Sequence, residues 1–127
     1  MEKTNIFIVD DDKFLLDIYA QKFSKANFDV HTADNAEDAL KQIRAGATPK
    51  ILLLDVIMPG LTGLEMLETL RKDNLVPNAT VIMLTNQGST EDLERAKRLK
   101  IDGYIIKAMA IPSEVLAEVI KINAAHH

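Results

Sequence analysis

Five short apolar runs recur along the chain, and stretches of helical period separate them. The runs are IFIV at 6–9, DVHTA at 29–33, ILLL at 51–54, TVIML at 80–84 and YII at 104–106. Three of them are continuously apolar, as strands covered on both faces should be. DVHTA alternates, which predicts an edge strand. In the first intervening stretch Leu15, Ile18, Tyr19 and Phe23 share one helical face. Ala36, Leu40 and Ile43 mark the second helix, Leu64, Leu67 and Leu70 the third, and Leu93, Ala96 and Leu99 the fourth. Val115, Leu116, Val119 and Ile120 mark the fifth. Asn35 is expected to cap the second helix and Gly46 to close it; Ser89 or Thr90 caps the fourth, and Pro112 suits the first turn of the fifth. Five strands alternating with five helices predict an α/β, doubly wound, five-stranded parallel sheet with right-handed crossovers. An edge second strand selects the flavodoxin-like order 2-1-3-4-5, whose switch point lies between strands 1 and 3.

A chain of 127 residues suits one domain, and 47% apolar residues suffice for a core. The net charge of −4 weighs against a nucleic-acid binder, so no direct nucleic-acid contact is expected. The absence of cysteine excludes disulfides, thiol nucleophiles and cysteine-ligated zinc. No run approaches the roughly 20 apolar residues of a membrane helix, and the first is far too short for a signal peptide. A soluble, cytoplasmic protein without membrane insertion is expected. Residues 1–123 form the expected domain, and 124–127 a tail in which His126 and His127 are read as a tag remnant.

The acidic residues are placed by this topology. In open parallel sheets, ligands bind beyond the carboxyl ends of the strands at the switch point. Strand 1 runs into Asp10, Asp11 and Asp12, and strand 3 ends in Asp55. Asp10, Asp11 and Asp55 therefore converge, whereas Asp12 reads as a helix cap. Neighbouring carboxylates repel, and an all-oxygen cluster suits a hard cation, Mg²⁺ or Mn²⁺. Strand 4 ends in the hydroxyl of Thr85 and strand 5 leads into the ammonium of Lys107. A nucleophilic carboxylate, a metal, a hydroxyl and a cation make a sensible phosphoryl-transfer site.

VDD closing strand 1, LLLDVIMPGLTG after strand 3, MLT closing strand 4, Tyr104, and Lys107 three residues later occur in that order. With them the chain resembles the receiver domain of bacterial two-component response regulators, most of all the stand-alone type, from about Asn5 to about Ile122. The resemblance implies that Asp55 is the phosphoacceptor. It also implies that Asp11 holds Mg²⁺ directly, Asp10 partly through water, with Asp55 and the Ile57 backbone carbonyl as further ligands. Lys107 would pair with the acceptor carboxylate, Thr85 would move to bond the phosphoryl group, and Tyr104 would rotate inward. The implied phosphodonor is a sensor histidine kinase or a phosphotransfer protein. Output to a downstream protein would pass through helix 4, strand 5 and helix 5. No effector segment follows the fifth helix in this sequence, so the expectation is either output by partner binding or a chain cut from something longer. Such a chain would not be an enzyme beyond its own phosphoryl transfer and dephosphorylation.

Four positions depart from the pattern of the family it resembles. Ala108 follows Lys107 where proline is usual. A non-proline cis bond costs roughly 2.5–4 kcal/mol, so a rearranged loop at KAMAIP, loosening Lys107, is expected. Ile57, two residues past the acceptor, is apolar and should hinder water. Asn86 is larger than the usual residue after Thr85, and Gln87 replaces a frequent acid. Together they predict a long-lived phosphoryl state. Gly60 and Gly63 are read as turn residues, the basic run Arg95–Lys100 as a wet helix face able to steer an acidic partner, and His31 as inert. Three other readings remain open: a haloacid-dehalogenase-like phosphatase using Asp10, a flavodoxin-like electron carrier, and a receiver-like docking module independent of phosphorylation.

Overall fold

In the computed structural model, which describes residues 3–86 and 89–126, ten elements follow the expected order. They are β1 (Thr4–Val9), α1 (Lys13–Lys25), β2 (Phe28–Ala33), α2 (Ala36–Arg44), β3 (Ile51–Leu54), α3 (Gly63–Lys72), β4 (Thr80–Thr85), α4 (Thr90–Arg98), β5 (Gly103–Ile106) and α5 (Pro112–His126). The sheet is wholly parallel, in the order β2-β1-β3-β4-β5. Side chains alternate across a strand, and here each face has its own core. Ile6, Ile8, Leu53 and Ile82 pack beneath α1 and α5, while Phe7, Val9, Leu52 and Met83 pack beneath α2, α3 and α4. Two cores explain the continuous apolar runs Ile6–Val9, Ile51–Leu54 and Val81–Leu84 in the inner strands. β2 lies at the edge with Asp29, His31 and Thr32 exposed. Its ladder edge is thereby wet and unattractive to another strand.

Local signals set the helix ends. Asp12, Asn35 and Ser89 each accept an amide of the first turn they cap. Gly46, at φ 117°, closes α2 in a Schellman motif: its amide reaches Ile43 O and that of Ala47 reaches Gln42 O. Pro112 opens α5. That helix runs through His126, so most of the expected tail is helical. His126 lies beside the buried Thr80 hydroxyl, at 2.6 Å.

The helix faces differ from expectation in detail. The buried stripe of α1 is Leu16, Tyr19 and Phe23, with Leu15 and Ile18 only on its flanks. In α5 Val115 and Val119 are buried, and Ile120 is 47% exposed. A sequence periodicity marks a stripe about 100° wide; which residue lies at its centre depends on how the helix is rotated on the sheet.

Candidate functional site at the switch point

Every strand ends, and the following helix begins, on one side of this sheet, so the acidic residues meet there. The Asp10 amide continues the β1–β2 ladder to Ala33 O, and the Asp55 amide continues β1–β3 to Val9 O. Asp10 and Asp55 are thus set by backbone pairing, and they are 1% and 5% exposed. Asp11 is exposed. One carboxylate oxygen from each of Asp10, Asp11 and Asp55 lies within 4.8 Å of the others. Asp10 Oδ1 accepts the Asp12 amide at 2.9 Å. The Asp11 carboxylate makes no hydrogen bond or ion pair among the described residues, so its oxygens are the more available to a ligand. Asp12 is the N-cap of α1, as its sequence position implies.

Lys107 closes the site from the β5 side. Its ammonium lies 2.5 Å from Asp10 Oδ2 and 3.3 Å from Asp55 Oδ2, with the side chain 5% exposed. The expected loosening of Lys107 is therefore not found. There is no cis peptide bond among the described residues, and Lys107–Met109 form a 3-10 turn after β5. At and beyond that turn, Met109 and Ile111 are exposed to solvent. Two buried carboxylates on one cation hold the lysine against any looseness of the turn behind it.

Burial pushes the Asp55 carboxyl up to about 7, the Lys107 ammonium opposes this, and the Asp10 charge adds to it. Burial alone would pull Lys107 down, but its bonds to Asp10 and Asp55 leave it above the ordinary lysine value. The site as it stands has more buried negative charge than one lysine neutralises. A hard divalent cation on three carboxylate oxygens would relieve that excess, so the donor set fits Mg²⁺ chemically.

Thr85 is fully buried at the end of β4, and its hydroxyl has no hydrogen-bond partner among the described residues. An unpaired buried hydroxyl is costly, and this one lines the same cleft as Asp55, Ile57, Asn86 and Lys107. The cleft measures about 290 Å³. That is room for a phosphoryl group with several waters, each ~30 Å³. Ile57 is 61% exposed at its rim. The Tyr104 hydroxyl is shielded from solvent and has no hydrogen-bond partner among the described residues, while the residue as a whole is partly exposed. Gln87 lies outside the described residues. His31 pairs with Asp29 on the edge strand, away from the site.

The loop from Val56 to Thr62 carries features the sequence reading did not assign. Gly60, at φ 77°, is a turn glycine as expected. Gly63 is not: a Cβ there would lie 1.9 Å from the Asp55 carbonyl oxygen. It is a close-approach glycine, and it lets the start of α3 rest on the acceptor backbone. Gly63→Ala is expected to destabilise the protein by about 2–3 kcal/mol in urea unfolding, since backbone must move. A ΔΔG below 0.5 kcal/mol would mean that the contact relaxes freely. Thr62 and Glu65 form a capping box on α3, which the T-x-x-E spacing signals. Glu37 of α2 accepts the Leu61 amide at 2.7 Å; no local pattern marks it.

Five parallel strands in this order, with an acidic crevice at the switch point, define the flavodoxin-like class. The response regulator receiver domain model matches residues 6–120, and the chain belongs to that family of two-component systems. A CheY-like receiver domain protein from Methanospirillum hungatei superposes with a TM-score of 0.89 at 27% identity, covering 98% of this chain and 97% of that one. A DNA-binding response regulator of the LuxR family from Staphylococcus aureus gives a TM-score of 0.83 at 31% identity, covering 94% and 98%. The Haemophilus influenzae homolog of transcriptional regulatory protein CpxR is 38% identical over 98 residues, 77% of this chain and 40% of that protein. The chain spans half or less of the length of the curated relatives it matches. No helix among the described residues is long and apolar enough to cross a membrane.

Proposed function

We propose that this receiver domain is a phosphorylation-activated switch whose acceptor is Asp55. The observation that carries the reading is the buried Asp55 carboxylate held 3.3 Å from Lys107 and within 4.8 Å of oxygens of Asp10 and Asp11. An Asp55 oxygen attacks the phosphorus of a phosphohistidine on a sensor kinase or phosphotransfer protein. The P–N bond breaks as the acyl-phosphate bond forms, and the imidazole leaves with its electron pair and takes up a proton. Asp10, Asp11, Asp55 and the Ile57 backbone carbonyl would hold Mg²⁺, or Mn²⁺ in its place. When bound, the cation offsets negative charge on the transferring oxygens. Lys107 exchanges part of its contact with Asp55 for a phosphoryl oxygen, and the unpaired Thr85 hydroxyl gains an acceptor there. Tyr104, packed on the same core as α4, transmits the shift to the α4–β5–α5 face, where a downstream protein binds. The domain spans 1–123, acts in the cytoplasm beside its kinase, and turns over no substrate but its own acceptor.

Incubation with acetyl phosphate, read by intact mass, tests this. One phosphoryl group is expected in Mg²⁺ buffer and none in EDTA. Because Asp55 must be ionised to attack and its carboxyl sits at about 7, the rate at limiting Mg²⁺ should fall as pH drops from 8 to 6. No adduct and no beryllofluoride binding would reject the switch in favour of a docking module. The apolar Ile57 at the cleft mouth and the neighbouring Asn86 should shield the acyl phosphate from water. The phosphoprotein is therefore expected to persist for minutes in Mg²⁺ buffer, and decay within seconds would contradict that shielding.

A further inference from the structure

The loop Val56–Thr62 carries the Ile57 carbonyl and joins Asp55 to α3, yet it has no regular structure. Its two ends are pinned. Asp55 N bonds Val9 O at the start, and Gly63 N bonds Val56 O at the end. Between them, the Leu61 amide donates to Glu37 Oε1 of α2 at 2.7 Å, across 24 residues of sequence, and Thr62 forms the capping box with Glu65 of α3. The same oxygen occupies the space beside Gly60, where a Cβ would lie 2.8 Å away. Gly60 therefore lets the loop close onto the Glu37 carboxylate. Glu37 lies in the first turn of α2, capped by Asn35 and followed by Ala39 and Ile43 in the core. The helix backbone that carries it is anchored through Ala36, Ala39 and Ile43, and Glu37 itself is exposed. A carboxylate accepting a backbone amide makes a charge-assisted bond, stronger than a neutral one.

We propose that Glu37 is a positioning residue for the metal–phosphoryl site, holding the 57–62 loop so that the Ile57 carbonyl stays at the acidic cluster. It touches neither metal nor phosphoryl group and acts only through the Leu61 amide. This rests on the reading of the site as a Mg²⁺-dependent receiver. Its signature is a loss of metal affinity without loss of the acceptor. Glu37→Ala should need more Mg²⁺ for half-maximal phosphorylation, with the rate at saturating Mg²⁺ close to wild type. Glu37→Gln keeps an oxygen that can accept the amide, so it should recover most of the loss.

Two measurements on the full chain decide it. Hydrogen exchange in Mg²⁺-free buffer should show the Leu61 amide of Glu37→Ala exchanging at least about tenfold faster, with β1 and β3 amides unchanged. Calorimetric titration with MgCl₂ alone should show affinity about tenfold weaker in Glu37→Ala, at the low end for outer-shell partners of metal ligands, and near wild type in Glu37→Gln. Unchanged Leu61 exchange, or unchanged Mg²⁺ affinity, overturns the proposal. If the wild type itself binds no Mg²⁺ and accepts no phosphoryl group, the receiver reading of the site fails instead, whatever the exchange of Leu61 shows.

Discussion

Asp55→Asn is expected to take up no phosphoryl group from acetyl phosphate and, in Mg²⁺-free buffer at pH 8, to be more stable than the wild type. Both outcomes follow from one carboxylate. An amide oxygen is a poor nucleophile and forms no acyl phosphate, so the mass adduct disappears. The stability gain comes from burial. Asp55 is raised from 3.8 to about 7 in the fold, so the native state holds a proton that the unfolded chain releases between those values. Stability therefore falls as pH rises from about 4 to about 7, and the full cost is present above that. Asparagine carries no charge and escapes this cost, although Lys107 then keeps only Asp10 as a partner. A net gain of ~2 kcal/mol at pH 8, shrinking towards zero near pH 4, is expected from urea unfolding. Mg²⁺ should raise the wild-type Tm more than that of Asp55→Asn. An adduct that survives the substitution would move the acceptor elsewhere, with Asp10 the first alternative.

Lys107→Ala is expected to be the most damaging single change at the site. It removes the ammonium 2.5 Å from Asp10 and 3.3 Å from Asp55 and leaves two buried carboxylates facing each other. Breaking a buried pair from one side typically costs 3–5 kcal/mol. Here proton uptake by Asp55 limits the loss to about 2–3 kcal/mol at pH 8. The sign with pH is fixed by the same charges. As pH falls below about 7, Asp55 of the wild type also takes up a proton and its attraction to Lys107 fades, so the deficit should narrow at pH 5.5. Added Mg²⁺ should restore stability, because the cation replaces the missing charge, while phosphorylation stays slow for want of a cation on the phosphoryl oxygens. Equal destabilisation at both pH values would show that Lys107 contributes packing rather than charge.

Much of this molecule was legible before folding. Runs such as ILLL and IFIV imply strands covered on both faces, and the two separate cores bear that out. Asn35, Gly46 and Pro112 act within a few residues of themselves, so their effects on the helix ends are readable. Placing Asp10, Asp11 and Asp55 together needed only the strand order, because parallel strands deliver their carboxyl ends to one side.

Other features depend on distances between parts of the chain that no local pattern relates. Leu16, not Leu15, lies at the centre of the α1 stripe because α1 packs against α5 as well as the sheet. Lys107 lies closer to Asp10 than to Asp55, a choice made by how the turn Lys107–Met109 leaves β5. Gly63 is glycine because α3 abuts the Asp55 carbonyl, and Glu37 meets Leu61 because α2 and the acceptor loop are neighbours only in space. Sequence periods of 2 and 3.6 encode which face of an element is buried. They carry no information on the rotation or spacing of packed elements, and at this site those decide which atoms touch.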